Sequence, residues 1–308
     1  MGRILNGIRG GGELAYIKPE ALIRVENVFV IITVTGHHYL SIKNQLQEMG
    51  IPHLTYMEYI LAAHFDEFET VYHQLLDDEC SRKTYLSVLM SRLTCDMAYL
   101  REVFVKNQYF EVPEFYGAGT KDIFVDCGAY VGDTLENFIV NRAGLFEKVY
   151  SFEPAEKTYK ALCKRKRRLL DEWALDEGQI IAEQKIVSDS SGFLAFLCNA
   201  AGESSNRIIK NDIDAEKRTE SVSLDDYFGD KEGKPTFIKA DIEGAEMDLI
   251  KGARNIIEDS CPLLSICIYH KAEDLYEIPL MLKRLNPGYK MAVRHHMPNY
   301  YETVLYCY

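Results

Sequence analysis

The sequence predicts an α/β fold: a Rossmann-like, seven-stranded, mainly parallel sheet with an antiparallel last strand, preceded by a small α/β segment and a helical region. Three observations lead there. From residue 121 to 308, short apolar runs alternate with helical patterns, which implies a parallel sheet covered on both faces. The first run, Ile123 to Asp126, passes through a turn punctuated by Gly128 and Gly132 into a helical pattern from Asp133 and Thr134. Strand, glycine turn and helix bring the main chain close to a nucleotide-like ligand. The last two runs are separated only by a short turn with Met297-Pro298-Asn299, so they pair antiparallel at one edge.

In chain order, residues 1–55 form a partial α/β module, with a buried strand over Asn27–Val34 and a helix from about Tyr39 to Met49, stopped by Gly50. Gly10-Gly11-Gly12 precedes that strand and reads as a loop, not a phosphate cradle. Residues 56–112 form a helical connecting region, with helices over Met57–Leu76 and Lys83–Phe104. Leu86, Leu89, Met90, Leu93 and Met97 recur at helical spacing, a packing stripe for the main sheet or for a partner subunit in a homo-oligomer. A linker over Pro113–Thr120 leads to the main domain, 121–308. Its strands are expected at 123–126, 148–153, 179–187, 235–241, 262–268, 289–295 and 303–308. Helices are expected near 134–142, 157–170, 245–258 and 273–285, with an extra hairpin in 192–210.

Composition narrows the partners. A net charge of −12 argues against a nucleic-acid backbone as the main partner. No apolar run reaches the roughly 20 residues a membrane span needs. The 8 cysteines form no CxxC pair, so they read as buried thiols of a reducing compartment, the cytoplasm.

Three clusters carry chemistry. Glu153, before Pro154 at the tip of the second strand, is placed to hold a ribose diol, which with the glycine turn suggests an adenosine-containing cofactor. Asp126 and Asp133 can accept hydrogen bonds from an ammonium group, and Thr134 can cap the helix. The G-x-G-x-x-G fingerprint of dinucleotide sites is absent. In the second cluster, Phe237 to Glu246, Asp241 and Glu243 project from a strand's carboxyl end, while Glu243 and Glu246 also suit an acidic first helical turn. Lys239, inside an apolar strand, needs a carboxylate neighbour, with Asp241 and Glu153 as candidates. The third cluster is Tyr269-His270-Lys271 at the same sheet edge. His295-His296, Tyr300 and Tyr301 either line an acceptor pocket or pack the edge, packing being preferred. The run Lys164 to Arg168 reads as a solvated helix face, and Ser188 to Gly192 as an adenine contact or a turn.

These segments resemble the FkbM-family class I S-adenosylmethionine-dependent methyltransferases. The resemblance is carried by Phe124 to Thr134, Phe152-Glu153-Pro154, Val222 to Tyr227, Ile238 to Glu246 and Ile268 to Lys271. It implies that Asp126, Gly128 and Gly132, with Ala129, Tyr130, Asp133, Thr134 and Asp241, surround the methionine part of the cofactor. Glu153 and Pro154 would meet the ribose, and Ser188 would lie near the adenine. It further implies O-methylation of a sugar or secondary-metabolite hydroxyl, in polysaccharide biosynthesis among other settings. His270 or Asp241 would take the hydroxyl proton, Glu243 would orient the acceptor and Lys239 would fix the acidic group. No recognised spacing calls for a metal. A nicotinamide-dependent sugar oxidoreductase and a non-catalytic S-adenosylmethionine-binding protein are the competing readings.

Overall fold

Strand pairing in the main sheet follows from which apolar runs are buried on both faces. The computed structural model describes residues 4–6, 15–17, 22, 24, 27–33, 37–116, 121–197, 207–209 and 218–308. Gly10 to Gly12, Gly117 to Thr120 and Cys198 lie outside them.

The N-terminal segment holds an antiparallel pair, β1 (Ile4–Asn6) and β2 (Ala15–Ile17), and a parallel pair, β3 (Val30–Ile32) and β4 (His53–Thr55), joined by α1 (His37–Glu48). The helical region is more broken than its composition suggests. α2 (Tyr56–Ala63) starts with a capping box between Thr55 and Glu58. His64, at φ −127°, separates it from α3 (Phe65–Thr70), which runs into a π-turn, Val71–Leu75. α4 (Glu79–Thr94) is capped by Asp78 and ended by Cys95 in the left-handed region, and α5 (Ala98–Arg101) follows. Its packing face centres on Tyr85, Val88 and Leu89, while Leu86 of the expected stripe is 48% exposed. That face is spent within the chain: Ser81 Oγ accepts the Val293 N–H and Asp78 pairs with Arg294.

The main domain continues with β5 (Ile123–Cys127), α6 (Asp133–Asn141), β6 (Lys148–Phe152), α7 (Glu156–Trp173), β7 (Ile180–Glu183) and β8 (Ile186–Val187). Then come β9 (Gly192–Leu197), β10 (Arg207–Ile209), β11 (Arg218–Val222), α8 (Leu224–Gly229), β12 (Phe237–Ala240), α9 (Glu246–Gly252) and α10 (Arg254–Ser260). The chain closes with β13 (Leu263–Cys267), α11 (Asp274–Leu285), β14 (Met291–His295) and β15 (Thr303–Cys307). The seven-stranded sheet has the order β14-β15-β13-β12-β5-β6-β7. Its strands are parallel except for β15, which is antiparallel to both β13 and β14. The reversed last strand is therefore inserted one place in from the edge.

Two expected elements divide. The run 179–187 splits at Gln184-Lys185, where Lys185 turns out to pair with Glu220, and β8 leaves for a separate four-stranded sheet. The expected hairpin, β9 with β10, belongs to that second sheet. The helix expected at 245–258 breaks after Gly252, where any Cβ would lie 2.1 Å from the Ser188 carbonyl oxygen.

His295 ends β14 and His296 follows it, both buried. His295 contacts Thr303 Oγ1 and the Asn299 carbonyl, and His296 contacts the Val105 carbonyl and Tyr306 Oη. The packing reading holds for both. Burial pushes each imidazole down to about 4 from an ordinary 6.5. As pH falls below 6.5 the unfolded chain takes up these protons first, so the native state loses their contribution between pH 6.5 and 4 and keeps it above. Denaturant unfolding across that window, compared with a His295→Asn/His296→Asn variant, is expected to show a shallower loss in the variant. Equal slopes would contradict this account.

Candidate active site

All five residues of β5 are buried, so the strand delivers Asp126 and Cys127 to the carboxyl edge of the sheet in a dry setting. Gly128 follows at φ +79°, and a Cβ there would sit 1.8 Å from the Asp241 carbonyl oxygen. Only glycine lets the turn press against the end of β12. Gly132, at φ +84°, is the N-cap of α6, with no side-chain cap; Thr134 lies inside the helix and does not cap it. Between the two glycines, Tyr130 at φ +48° donates its N–H to Glu153 Oε2 at 2.9 Å. Glu153 Oε1 accepts from the Ala155 N–H at 2.9 Å and from Thr158 Oγ1 at 2.8 Å. The acid at the tip of β6 thus ties the glycine turn to the start of α7. Burial pushes its carboxyl up against the pull of these donors.

Lys239 finds its carboxylate in neither expected partner. Its Nζ lies 3.1 Å from Asp126 Oδ1, both side chains being buried, and donates to the carbonyls of Gly128 at 2.7 Å and Cys127 at 3.3 Å. The two residues sit directly opposite each other where β12 pairs with β5. Burial alone would lower the ammonium, but Asp126 and Asp241 hold it above its ordinary value. Asp126, for which a ligand contact is expected, is fully buried and is not on the cavity wall.

Beyond β12, Asp241 is held from two sides: Oδ2 accepts from Tyr109 Oη at 2.8 Å and Oδ1 from Tyr269 Oη at 3.1 Å. Glu243 occupies the left-handed region at φ +57°. His270 Nε2 stands 3.5 Å from Asp241 Oδ1 and 3.7 Å from Glu243 Oε2, and Nδ1 stands 3.1 Å from Glu246 Oε1. Burial would lower the imidazole, but contact with Glu246 and the charges of Asp241 and Glu243 raise it to about 9. Burial, with Asp241 and Glu246 nearby, pushes Glu243 up to about 7 despite His270. Asp241, Glu246 and His270 each offer one donor atom within 4.8 Å of the others, as do Asp241, Cys267 and Glu302, spacings a metal ion can use.

Asp241, Glu243, His270 and Glu302 border one cavity of about 1630 Å³. At one end its wall includes Gly128, Tyr130, Asp133, Thr134, Glu153 and Pro154. Lys239, Asp241, Glu243, Tyr269 and His270 form the middle. Ala129, Gly132 and Ser188 are not on the wall; Ser188 is buried beneath Gly252, and Ile186 and Val187 line the cavity in its place. The N-terminal third also contributes to the wall, with Thr33, Tyr39, Thr55, Tyr56 and Arg92, as do Tyr300 and Tyr301. Sequence reasoning missed Tyr109, Glu302 and the contribution of the N-terminal third. Tyr109 and Glu302 carry no local signal, because both arrive on irregular segments. Thr33 and Thr55 do carry one, at the carboxyl ends of neighbouring parallel strands.

The match to the methyltransferase FkbM domain spans residues 126–291, more than half of the chain. This chain belongs to the FkbM methyltransferase family. Its fold is similar to that of the crystal structure of methyltransferase FkbM from Methylobacillus flagellatus KT. The TM-score is 0.67 at 25% identity, covering 94% of this chain and 76% of that one. Aeropyrum pernix fibrillarin, solved with S-adenosyl-L-methionine, matches at TM-score 0.36 and 9% identity over 62% of this chain and 67% of that one. SMU.1697c from Streptococcus mutans, a putative methyltransferase in complex with SAH, matches at TM-score 0.35 and 11% identity over 70% and 96%. At such scores the last two carry no argument. No curated protein matches the chain.

The buried pair gives a sharp test. Lys239→Met strands a buried carboxylate, and urea denaturation is expected to show a loss of about 3–5 kcal/mol, partly recovered in Lys239→Met/Asp126→Asn. A single-variant loss below about 1 kcal/mol would contradict the pairing.

Proposed function

We propose that this chain transfers a methyl group from S-adenosylmethionine to a hydroxyl of a sugar or a hydroxylated secondary metabolite. The observation that carries the reading is the shared cavity: the glycine turn and Glu153 border one end, and a carboxylate and an imidazole stand beside them. Glu153 has three of its roughly four acceptor positions filled by Tyr130, Ala155 and Thr158, which leaves one for a ribose hydroxyl. Gly128, Tyr130, Asp133 and Thr134 would border the amino-acid end. Asp126 contributes indirectly, by anchoring Lys239 beneath the turn. Ile186 and Val187 would flank the adenine. The acidic middle of the cavity, with Asp241, Glu243 and Glu302, suits a cationic ligand.

When bound, S-adenosylmethionine supplies an electrophilic methyl group on a sulfonium whose C–S electron pair leaves with sulfur as the acceptor oxygen forms the new bond. Most of the catalysis then comes from alignment and exclusion of water. The chain's own task is to orient the hydroxyl and receive its proton, at Asp241 or His270, with Glu243 orienting the acceptor. Typical ligand pockets measure roughly 300–1000 Å³. At about 1630 Å³ the cavity leaves room for an acceptor beside the nucleoside. Tyr39, Tyr56, Tyr300 and Tyr301, with the Thr33 and Thr55 hydroxyls, offer flat apolar faces and hydrogen-bonding edges suited to a sugar ring. The N-terminal α/β segment is thus assigned the acceptor wall. We place the protein in the cytoplasm, where its free cysteines would stay reduced. Among the described residues, no helix is long and apolar enough to cross a membrane. A homo-oligomer formed through the helical region would use surfaces that α4 leaves exposed, such as Leu86.

Calorimetry with S-adenosylmethionine, S-adenosylhomocysteine and NAD separates the readings. Both sulfur compounds are expected to bind and NAD is not; the reverse pattern would favour the oxidoreductase. A methyl-release screen of nucleotide sugars, glycans and hydroxylated metabolites identifies the acceptor. On it, Asp241→Asn is expected to slow single-turnover methylation by about 10²–10⁴-fold while S-adenosylhomocysteine still binds. Binding without methyl transfer to any acceptor would favour the non-catalytic reading.

A further inference from the structure

We infer that Glu246 is a positioning residue that holds His270 by Nδ1, so that Nε2 faces the cavity and takes the proton of the acceptor hydroxyl. The inference rests on the methyltransferase reading above. Glu246 stands in the first turn of α9, where an acid is ordinarily a solvated favour to the helix dipole. Here its side chain is fully buried. Oε1 accepts the N–H groups of Ile242 at 2.9 Å and Gly244 at 3.4 Å, and Oε2 has no hydrogen-bond partner among the described residues. A carboxylate kept dry in this way is costly unless a cation answers it. The His270 ring, with Nδ1 at 3.1 Å and a side chain only 10% exposed, is placed to be that cation.

By hydrogen-bond geometry neither ring nitrogen has a partner among the described residues; the acid nearest Nδ1 is Glu246, at 3.1 Å, while Asp241 and Glu243 flank Nε2 at 3.5 and 3.7 Å. His270 itself lines the cavity, whereas Glu246 does not. With a buried acid 3.1 Å from one ring nitrogen and the ring itself on the cavity wall, the pair can act as a carboxylate–imidazole dyad, in which the acid selects the tautomer and stabilises the imidazolium. The acceptor O–H bond breaks and its proton joins the lone pair on neutral Nε2, while the oxygen keeps the electron pair for its new bond to carbon. The groups facing His270 are Asp241 and Glu243 from the loop after β12, Glu246 from α9, Asp274 from α11 and Glu302 from before β15. Lys271, its neighbour, sends Nζ to the Gly244 carbonyl. Five acids around one imidazole explain why it gains protons readily, and why only the fraction that has lost them can act as base.

Nitrogen-15 NMR of histidine-labelled protein, with His270→Asn identifying the signal, tests this without an acceptor. Neutral His270 is expected to carry its proton on Nδ1. In Glu246→Gln, which keeps an oxygen for the Ile242 and Gly244 N–H groups, the titration midpoint is expected to fall by about one pH unit or more, with both tautomers populated. On the acceptor from the screen, kcat should fall roughly 10–100-fold with little change in S-adenosylhomocysteine affinity, and Glu246→Asp should recover part of it. A wild-type ring protonated on Nε2, or an unchanged midpoint in Glu246→Gln, overturns the inference. If Glu246→Gln fails to fold, the wild-type tautomer decides by itself. Failure of wild type to bind S-adenosylhomocysteine would sink the methyltransferase reading and leave the ring's tautomer to be judged separately.

Discussion

The ion pair between Lys239 and Asp126 is the constraint on which the site depends. It joins opposite residues of β12 and β5 in a dry layer, and Lys239 spends its remaining donors on the carbonyls of Cys127 and Gly128. The turn is thereby clamped from below by an ammonium and from the side by the Asp241 backbone, which Gly128 touches where any side chain would collide. Glu153 completes the frame by accepting the Tyr130 N–H. Buried pairs of this kind contribute little net stability, and breaking one by removing a single partner is costly because it leaves an uncompensated buried charge. Here the pair sets the spacing between the glycine turn and the carboxylate at position 241.

The second organising feature is that two parallel strand pairs present their carboxyl ends to one cavity. β12 and β13 supply Asp241 and His270 from the main sheet, and β3 and β4 supply Thr33 and Thr55 from the N-terminal segment. Ligands of α/β proteins gather at such ends because the following loops and helix N-termini converge there. The helical region closes the gap between the segments: Arg92 of α4 donates to the Tyr269 carbonyl at 2.7 Å and also lines the cavity. The N-terminal third is therefore part of the site's architecture.

Much of this was legible in the sequence because the backbone demands leave residue-type marks. Gly128 and Gly132 are needed at positive φ, and Glu153, Asp241 and His270 follow apolar runs that end at the ligand edge. What escaped was neighbour identity. Alternation within β12 places Lys239 on a face, but nothing local says that β5 lies beside it, so its pairing with Asp126 has no sequence signal. Ser188 follows β8, the piece of the run that Gln184 and Lys185 cut off, and a glycine 64 positions later packs over it, a neighbour no local pattern announces. Tyr109 reaches Asp241 across a separation of 132 residues, beyond any periodic pattern.

A crystal structure grown with S-adenosylhomocysteine addresses the central claim most directly. The account predicts the nucleoside beside Glu153, with the amino-acid end along Gly128 to Thr134 and the sulfur directed toward Asp241 and His270. A ligand seated elsewhere, or a closed recess with Lys239 withdrawn from Asp126, would contradict it.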